Sequence, residues 1–96
     1  MSRTHAIELL ARHKAELASR FGVVTLALFG STVRNMARED SDVDILVLFD
    51  GPATSARYFG VQFYLEDLLG RPVDLVTDKA LRRELRPYVE NEAVYV

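Results

Sequence analysis

The chain has no cysteine, and that absence removes two kinds of chemistry at once. No disulfide framework can staple it, and no thiolate can serve as nucleophile or metal ligand; the composition fits a reducing cytoplasm. No apolar stretch reaches membrane-spanning length, and Ser2 to Arg20 is too charged for a signal peptide. Surplus positive charge is missing as well. The formal net charge is −2, where a nonspecific nucleic-acid binder is normally basic, so neither a membrane nor a nucleic-acid backbone is the expected partner. There is no internal repeat, low-complexity run or interdomain linker. What remains is 96 residues, 49% of them hydrophobic, enough to build one core and read as one domain over 1–96.

The apolar residues alternate between helical and strand spacing. Ile7, Leu10, Ala11, Leu17, Ala18 and Phe21 follow a helical stripe, with Lys14 placed to snorkel from it and Gly22 to end the helix. His5 and His13 fall off that stripe and read as solvated side chains, since metal-binding histidines need partners this sequence does not offer. Val23 to Phe29 is a first strand, ended by Gly30, and Ser31 is placed to cap a short helix of roughly Thr32 to Ala37. Val43 to Phe49 is a second strand, closed by Asp50-Gly51-Pro52. A long helix of about Thr54 to Leu69 follows, stopped by Gly70 and Pro72. Its stripe is Tyr58, Val61, Leu65, Leu68 and Leu69 around Gln62, while Phe59 and Phe63 widen the apolar arc, either for deep packing or as a partner or dimer surface. Val73 to Thr77 is a third strand. Arg82, Arg83 and Arg86 precede Pro87 as a solvated helix face or a contact for phosphates or an acidic partner; Val94-Tyr95-Val96 is an edge strand or a docking tail. The expected architecture is an α/β fold: a small mixed sheet of three or four strands with flanking helices.

Chemistry concentrates in one stretch. Asp42 and Asp44 stand two residues apart at the head of the second strand, and period-two strand geometry sends both carboxylates to one face. Two adjacent anions resist joint ionisation unless a cation lies between them, and magnesium is the hard ion held by carboxylate and phosphate oxygens together. Taken alone, the pair reads first as a polar turn with Asp44 a strand-end residue facing water. Ahead of it, Gly30 allows close backbone approach to a phosphate, Ser31 adds a hydroxyl donor, and Arg34 can grip a phosphate or carboxylate bidentately or form an internal ion pair. Asp74 interrupts the apolar third strand. If that strand lies beside the second, three carboxylates cluster in a way that suits two metal ions; the alternative is an edge-strand acid facing solvent. Phosphate donors followed by metal-binding acids read together as a nucleoside triphosphate site.

The combination Gly30-Ser31-x-x-Arg34, six residues, Ser41-Asp42-x-Asp44, and then Val73-Asp74-Leu75-Val76 resembles the minimal nucleotidyltransferases of the DNA polymerase β-like superfamily. The resemblance spans most of the chain, from the leading helix to the tail Glu92-Ala93-Val94-Tyr95-Val96. It implies that Gly30, Ser31, Arg34 and Ser41 bind nucleotide and that Asp42, Asp44 and Asp74 are catalytic and hold two Mg2+ ions, or Mn2+, with ATP as substrate. Asp74 would also help activate the acceptor hydroxyl. Where the family pattern has glycine after the arginine, this chain has Asn35, which tolerates the left-handed conformation, so the turn is expected to survive.

The resemblance further implies what the acceptor is. A chain of this length has no room for an acceptor-binding domain beside the catalytic core, so the acceptor arrives separately. Small stand-alone members are typically paired with a HEPN-domain toxin as its antitoxin, and some adenylylate a tyrosine on it. Two other functions stay open: a non-catalytic module that masks its partner, and a transferase acting on a small molecule such as an aminoglycoside with a second subunit completing the pocket.

Overall fold

A computed structural model describes residues 1–34, 36 and 41–96. Helix α1 (Arg3–Phe21) leads into β1 (Val23–Phe29) and a 3-10 turn, Gly30–Thr32; β2 (Val43–Phe49), α2 (Ser55–Leu69) and β3 (Val73–Thr77) follow. A second 3-10 turn, Asp78–Ala80, precedes a short α3 (Arg86–Glu92) and the two-residue β4 (Val94–Tyr95). The strands form one mixed sheet in the order β3-β2-β1-β4. β2 and β3 are parallel, with α2 as their crossover; β1 is antiparallel to both of its neighbours. The mixed α/β fold expected from the sequence is therefore present, and Val94-Tyr95 resolves as an edge strand.

Local chemistry accounts for the helix ends. Ser2 caps α1 by accepting the His5 amide, and Thr54 caps α2 by accepting that of Arg57. Gly22 and Gly70 close the two helices in the left-handed conformation. The expected Ser31-capped helix is not formed: Phe29 occupies the cap position of the Gly30–Thr32 turn, and Ser31 lies inside it. The reason is competition for the backbone. The Ser31 carbonyl accepts the Met36 amide, while Gly30 accepts Arg34, so the chain turns without entering a regular helix. Asn35 and the end of the proposed helix, at Ala37, lie outside the described residues.

The two long helices pack together on one face of the sheet. Leu10 and Leu17 of α1 meet Val61, Leu65 and Leu69 of α2 over Leu26, Leu28, Ile45, Val47 and Leu75, all buried. The first stripe needs correction: Ala6 is fully buried, whereas Ala11 and Ala18 are exposed. Small residues carry little information about facing, because alanine fits either side. A register shift between Val23 and Thr25 explains how odd-numbered Val23 and even-numbered Leu26 and Leu28 all reach the same core. Gly60 makes the helix crossing close, for a Cβ there would lie 2.5 Å from Cε1 of Phe21.

Polar groups tie this layer at its rim. His13 is not solvated as expected: its Nδ1 lies 2.8 Å from the Tyr64 hydroxyl, which in turn donates to Glu16. Arg20 stacks over the Phe21 and Tyr64 rings. Lys14 reaches across to donate to the Val96 carbonyl at 2.6 Å, and the Val96 amide donates to Leu26, so the last residues are clamped from both sides. Phe59 and Phe63 remain 49% and 60% exposed, stacked on each other and outside the core. The arginine cluster is divided. Arg86 pairs with Asp78 and Glu90, while Arg82 and Arg83 are exposed and precede α3.

Leu65 is fully buried in the shared helix–sheet layer. Leu65→Ala is expected to lower unfolding stability by about 2–5 kcal/mol, through lost transfer energy and a residual cavity. Urea titration followed by circular dichroism checks this as a lower midpoint at unchanged slope.

Candidate active site

The face of the sheet opposite the helices carries the acids. Along β2, Val43, Ile45, Val47 and Phe49 point to the core, which leaves Asp44 on the other side. Val73 and Leu75 do the same for β3 and leave Asp74 outward. Parallel pairing sets Asp44 directly opposite Asp74, and antiparallel pairing sets Phe29, the residue before Gly30, opposite Asp44 on its other side. Three separate stretches of sequence thus meet around one carboxylate. Asp42 is exposed just ahead of β2, with half-buried Ser41 preceding it.

The electrostatics follow from that placement. Asp44 is pushed up from 3.8 to about 6: burial is the main cause, followed by the charge of Asp74, a hydrogen bond with Asp74 and the charge of Asp42, with Arg34 opposing. Gly30 packs against this group, with φ +76, and a Cβ there would collide with the Asp44 carboxylate. Glycine is required on both counts. The hydroxyl of Thr32, buried in the same turn, has no hydrogen-bond partner among the described residues.

Arg34 is half exposed and donates from Nη1 to Glu92 Oε2 at 2.7 Å. The other oxygen of that carboxylate, Oε1, accepts the Gly30 amide at 2.9 Å. Sequence reasoning assigned Glu92 no chemistry. It stood in the tail, 62 positions from Gly30, and only the closing of β4 onto β1 brings it to the turn.

The structure therefore gathers Gly30, Ser31, Arg34, Asp44 and Asp74, with Asp42 and Ser41 at the edge. It does not draw the acids into a ready metal nest: among the described residues, no three of His, Cys, Asp or Glu converge closely enough to hold an ion. Like charges without a cation have no reason to converge. The donor chemistry nonetheless fits magnesium, a hard ion that accepts carboxylate oxygens and completes its shell with water and phosphate. A cavity of about 350 Å3 lined by Val47, Asp50, Thr77 and Asp78 lies at the opposite ends of β2 and β3 and includes none of these residues.

The sequence profile of the nucleotidyltransferase domain family matches residues 10–96. The chain belongs to that family, and the polymerase β-like fold and nucleotidyltransferase activity expected from the signature are those of its relatives. It is 47% identical over 88 residues to the protein adenylyltransferase MntA of Thermococcus cleftensis, covering 92% of this chain and 89% of that protein. It is similar to a solved candidate minimal nucleotidyltransferase with TM-score 0.78 and 40% identity, covering 98% and 95% of the two chains. A more distant likeness, at 22% identity and TM-score 0.60, is to the structure of a tri-AMPylated Shewanella oneidensis HEPN toxin in complex with MNT antitoxin; it covers 97% of this chain and 66% of that one and bears on the fold. No helix among the described residues is long and apolar enough to cross a membrane.

The raised pKa of Asp44 has a measurable sign. The folded state holds this proton more tightly than the unfolded chain, so the group's stabilising contribution is complete below about 3.8 and is lost as pH rises through about 6. In metal-free buffer, Asp44→Asn should therefore unfold at a higher temperature than wild type at pH 8, and the gap should shrink as pH falls to 5. A gap independent of pH in calorimetric scans would refute the coupling.

Proposed function

We propose that this chain transfers AMP from ATP to a hydroxyl on a partner protein, a tyrosine of a HEPN-family toxin, and thereby acts as its antitoxin in the cytoplasm. The single observation that carries the reading is the pairing of Asp44 with Asp74 beside the Gly30 backbone and the Arg34 guanidinium. Anion donors and cation ligands adjoin one another there, as a metal-bound triphosphate requires.

In this reading the Gly30 amide, the Ser31 hydroxyl and Arg34 hold phosphate oxygens, with Ser41 at the rim. Asp42, Asp44 and Asp74 hold magnesium or manganese, which when bound lowers the proton affinity of the acceptor hydroxyl and offsets the charge of departing pyrophosphate. The tyrosine oxygen bonds to the α-phosphorus as the bond from that phosphorus to the bridging oxygen breaks. Asp74, exposed at the open edge of β3, takes up the hydroxyl proton, and pyrophosphate leaves with the electron pair. Asp42 and Asp74 are exposed, so a bulky acceptor can approach the acids. The 47% identical relative is a protein adenylyltransferase, and the more distant structural neighbour is held by a HEPN toxin carrying AMP groups; both favour a protein acceptor over a small molecule.

Co-expression with a HEPN partner, followed by intact-mass measurement of that partner, tests the proposal. The expected result is a gain of one or more AMP masses that disappears with the double substitution Asp42→Asn and Asp44→Asn, while the fold is kept. Neutralisation that survives this double substitution without any mass change would establish masking by binding instead.

A further inference from the structure

We propose that Glu92 is a further member of the nucleotide site: its carboxylate is the resident anion of the Gly30–Arg34 donor pair, and a triphosphate enters by exchanging it out. This rests on the reading of Gly30 and Arg34 as phosphate donors. The geometry is that of anion recognition. One carboxylate spans a backbone amide at 2.9 Å and a guanidinium at 2.7 Å, the charge-assisted pattern by which such donors also take a phosphate.

Glu92 gains nothing from its own helix. It is the last residue of α3, where the helix dipole disfavours an anion. It also adds a fourth carboxylate to a site already holding Asp42, Asp44 and Asp74. Its placement is explained by the two donors alone. The Gly30 amide has one proton and cannot serve two acceptors at full strength, so Glu92 and a phosphate oxygen are alternatives. Arg34 faces the same choice while also attracting Asp44.

The exchange is local. β4 stays paired to β1 through Val94 and Tyr95, the Val96 amide bonds Leu26, and Lys14 holds the Val96 carbonyl. Only the side chain of Glu92, about one-third exposed, has to rotate away. The consequence is selectivity. An isolated phosphate must displace Glu92 for two hydrogen bonds of the same kind. A magnesium-bound triphosphate adds contacts to the acids and makes the exchange favourable. Glu92 therefore lowers affinity for every phosphate ligand and leaves only the metal-bound polyphosphate above threshold.

Equilibrium binding of ATP with magnesium and of inorganic phosphate, to wild type, Glu92→Gln and Glu92→Ala, tests this. Both substitutions should tighten ATP binding by about five- to tenfold, since a site whose competent state is a minority binds in proportion to that fraction. They should also make phosphate binding detectable. Unchanged or weaker ATP binding by a folded Glu92→Gln protein would overturn the proposal and make Glu92 a structural brace. If both variants fail to fold, NMR of the wild type decides: saturating ATP must shift the Gly30 amide and the Glu92 side-chain carboxyl carbon, and a static Glu92 signal refutes the exchange. A wild type that binds no ATP at all would instead refute the phosphate-site reading, and this inference with it.

Discussion

Two carboxylates facing each other across parallel strands organise this protein. Asp44 and Asp74 occupy paired positions on β2 and β3, and the charge of Asp74 disfavours that of Asp44. An arrangement of that kind persists only because the surrounding fold is held by something stronger. Here it is the apolar layer beneath: Val43, Ile45, Val47, Val73 and Leu75 point away from the acids into a core roofed by α1 and α2. Side-chain alternation makes the two facts inseparable. Burying every second residue of β2 and β3 under the helices forces Asp44 and Asp74 onto the open face, whatever their mutual repulsion.

The same logic explains why the site carries more negative than positive charge. The two long helices cover one face of the sheet; on the other, Leu46 is buried while Asp44 is half-buried and Asp74 exposed. Among the contacts around Asp44, Arg34 is the cation that lowers its proton affinity, and two carboxylates, Asp74 and Asp42, oppose it. Under the proposed function, a site with that balance would favour an incoming metal complex over either ion alone. Glu92 completes the balance by occupying the anion donors, which leaves Arg34 shared between the acid pair and the C-terminal segment.

The register shift between Val23 and Thr25 and the clamp on Val96 serve that arrangement from a distance. The first lets β1 keep Leu26 and Leu28 in the core while Gly30 arrives beside Asp44. The second fixes β4 at the sheet edge, so that the end of α3 projects Glu92 over the turn. Small shifts in either would separate donors from acids, since the turn has only three 3-10 residues to absorb error.

Much of this was legible in the chain because it is local. The bounds of β1 and β2 and the end of α2 at Gly70 follow from periodicity and stop signals within a few residues. The acid signature likewise pointed to the family. Other features required the fold. That Asp74 pairs with Asp44 depends on parallel crossover through α2. That His13 is bonded to Tyr64 depends on how two helices cross, 51 positions apart in sequence. The Gly30–Thr32 turn depends on which carbonyls the following amides find, a competition that capping preference could not foresee. Glu92 is the clearest case: a glutamate in a polar helix looks like a solvated residue until edge pairing delivers it to Gly30 and Arg34. Sequence by itself determined the long helices, the first three strands and the family they signal, since these rest on neighbours along the chain. Tertiary structure alone decided which charges meet, because Coulombic and hydrogen-bond partners are chosen by distance in space.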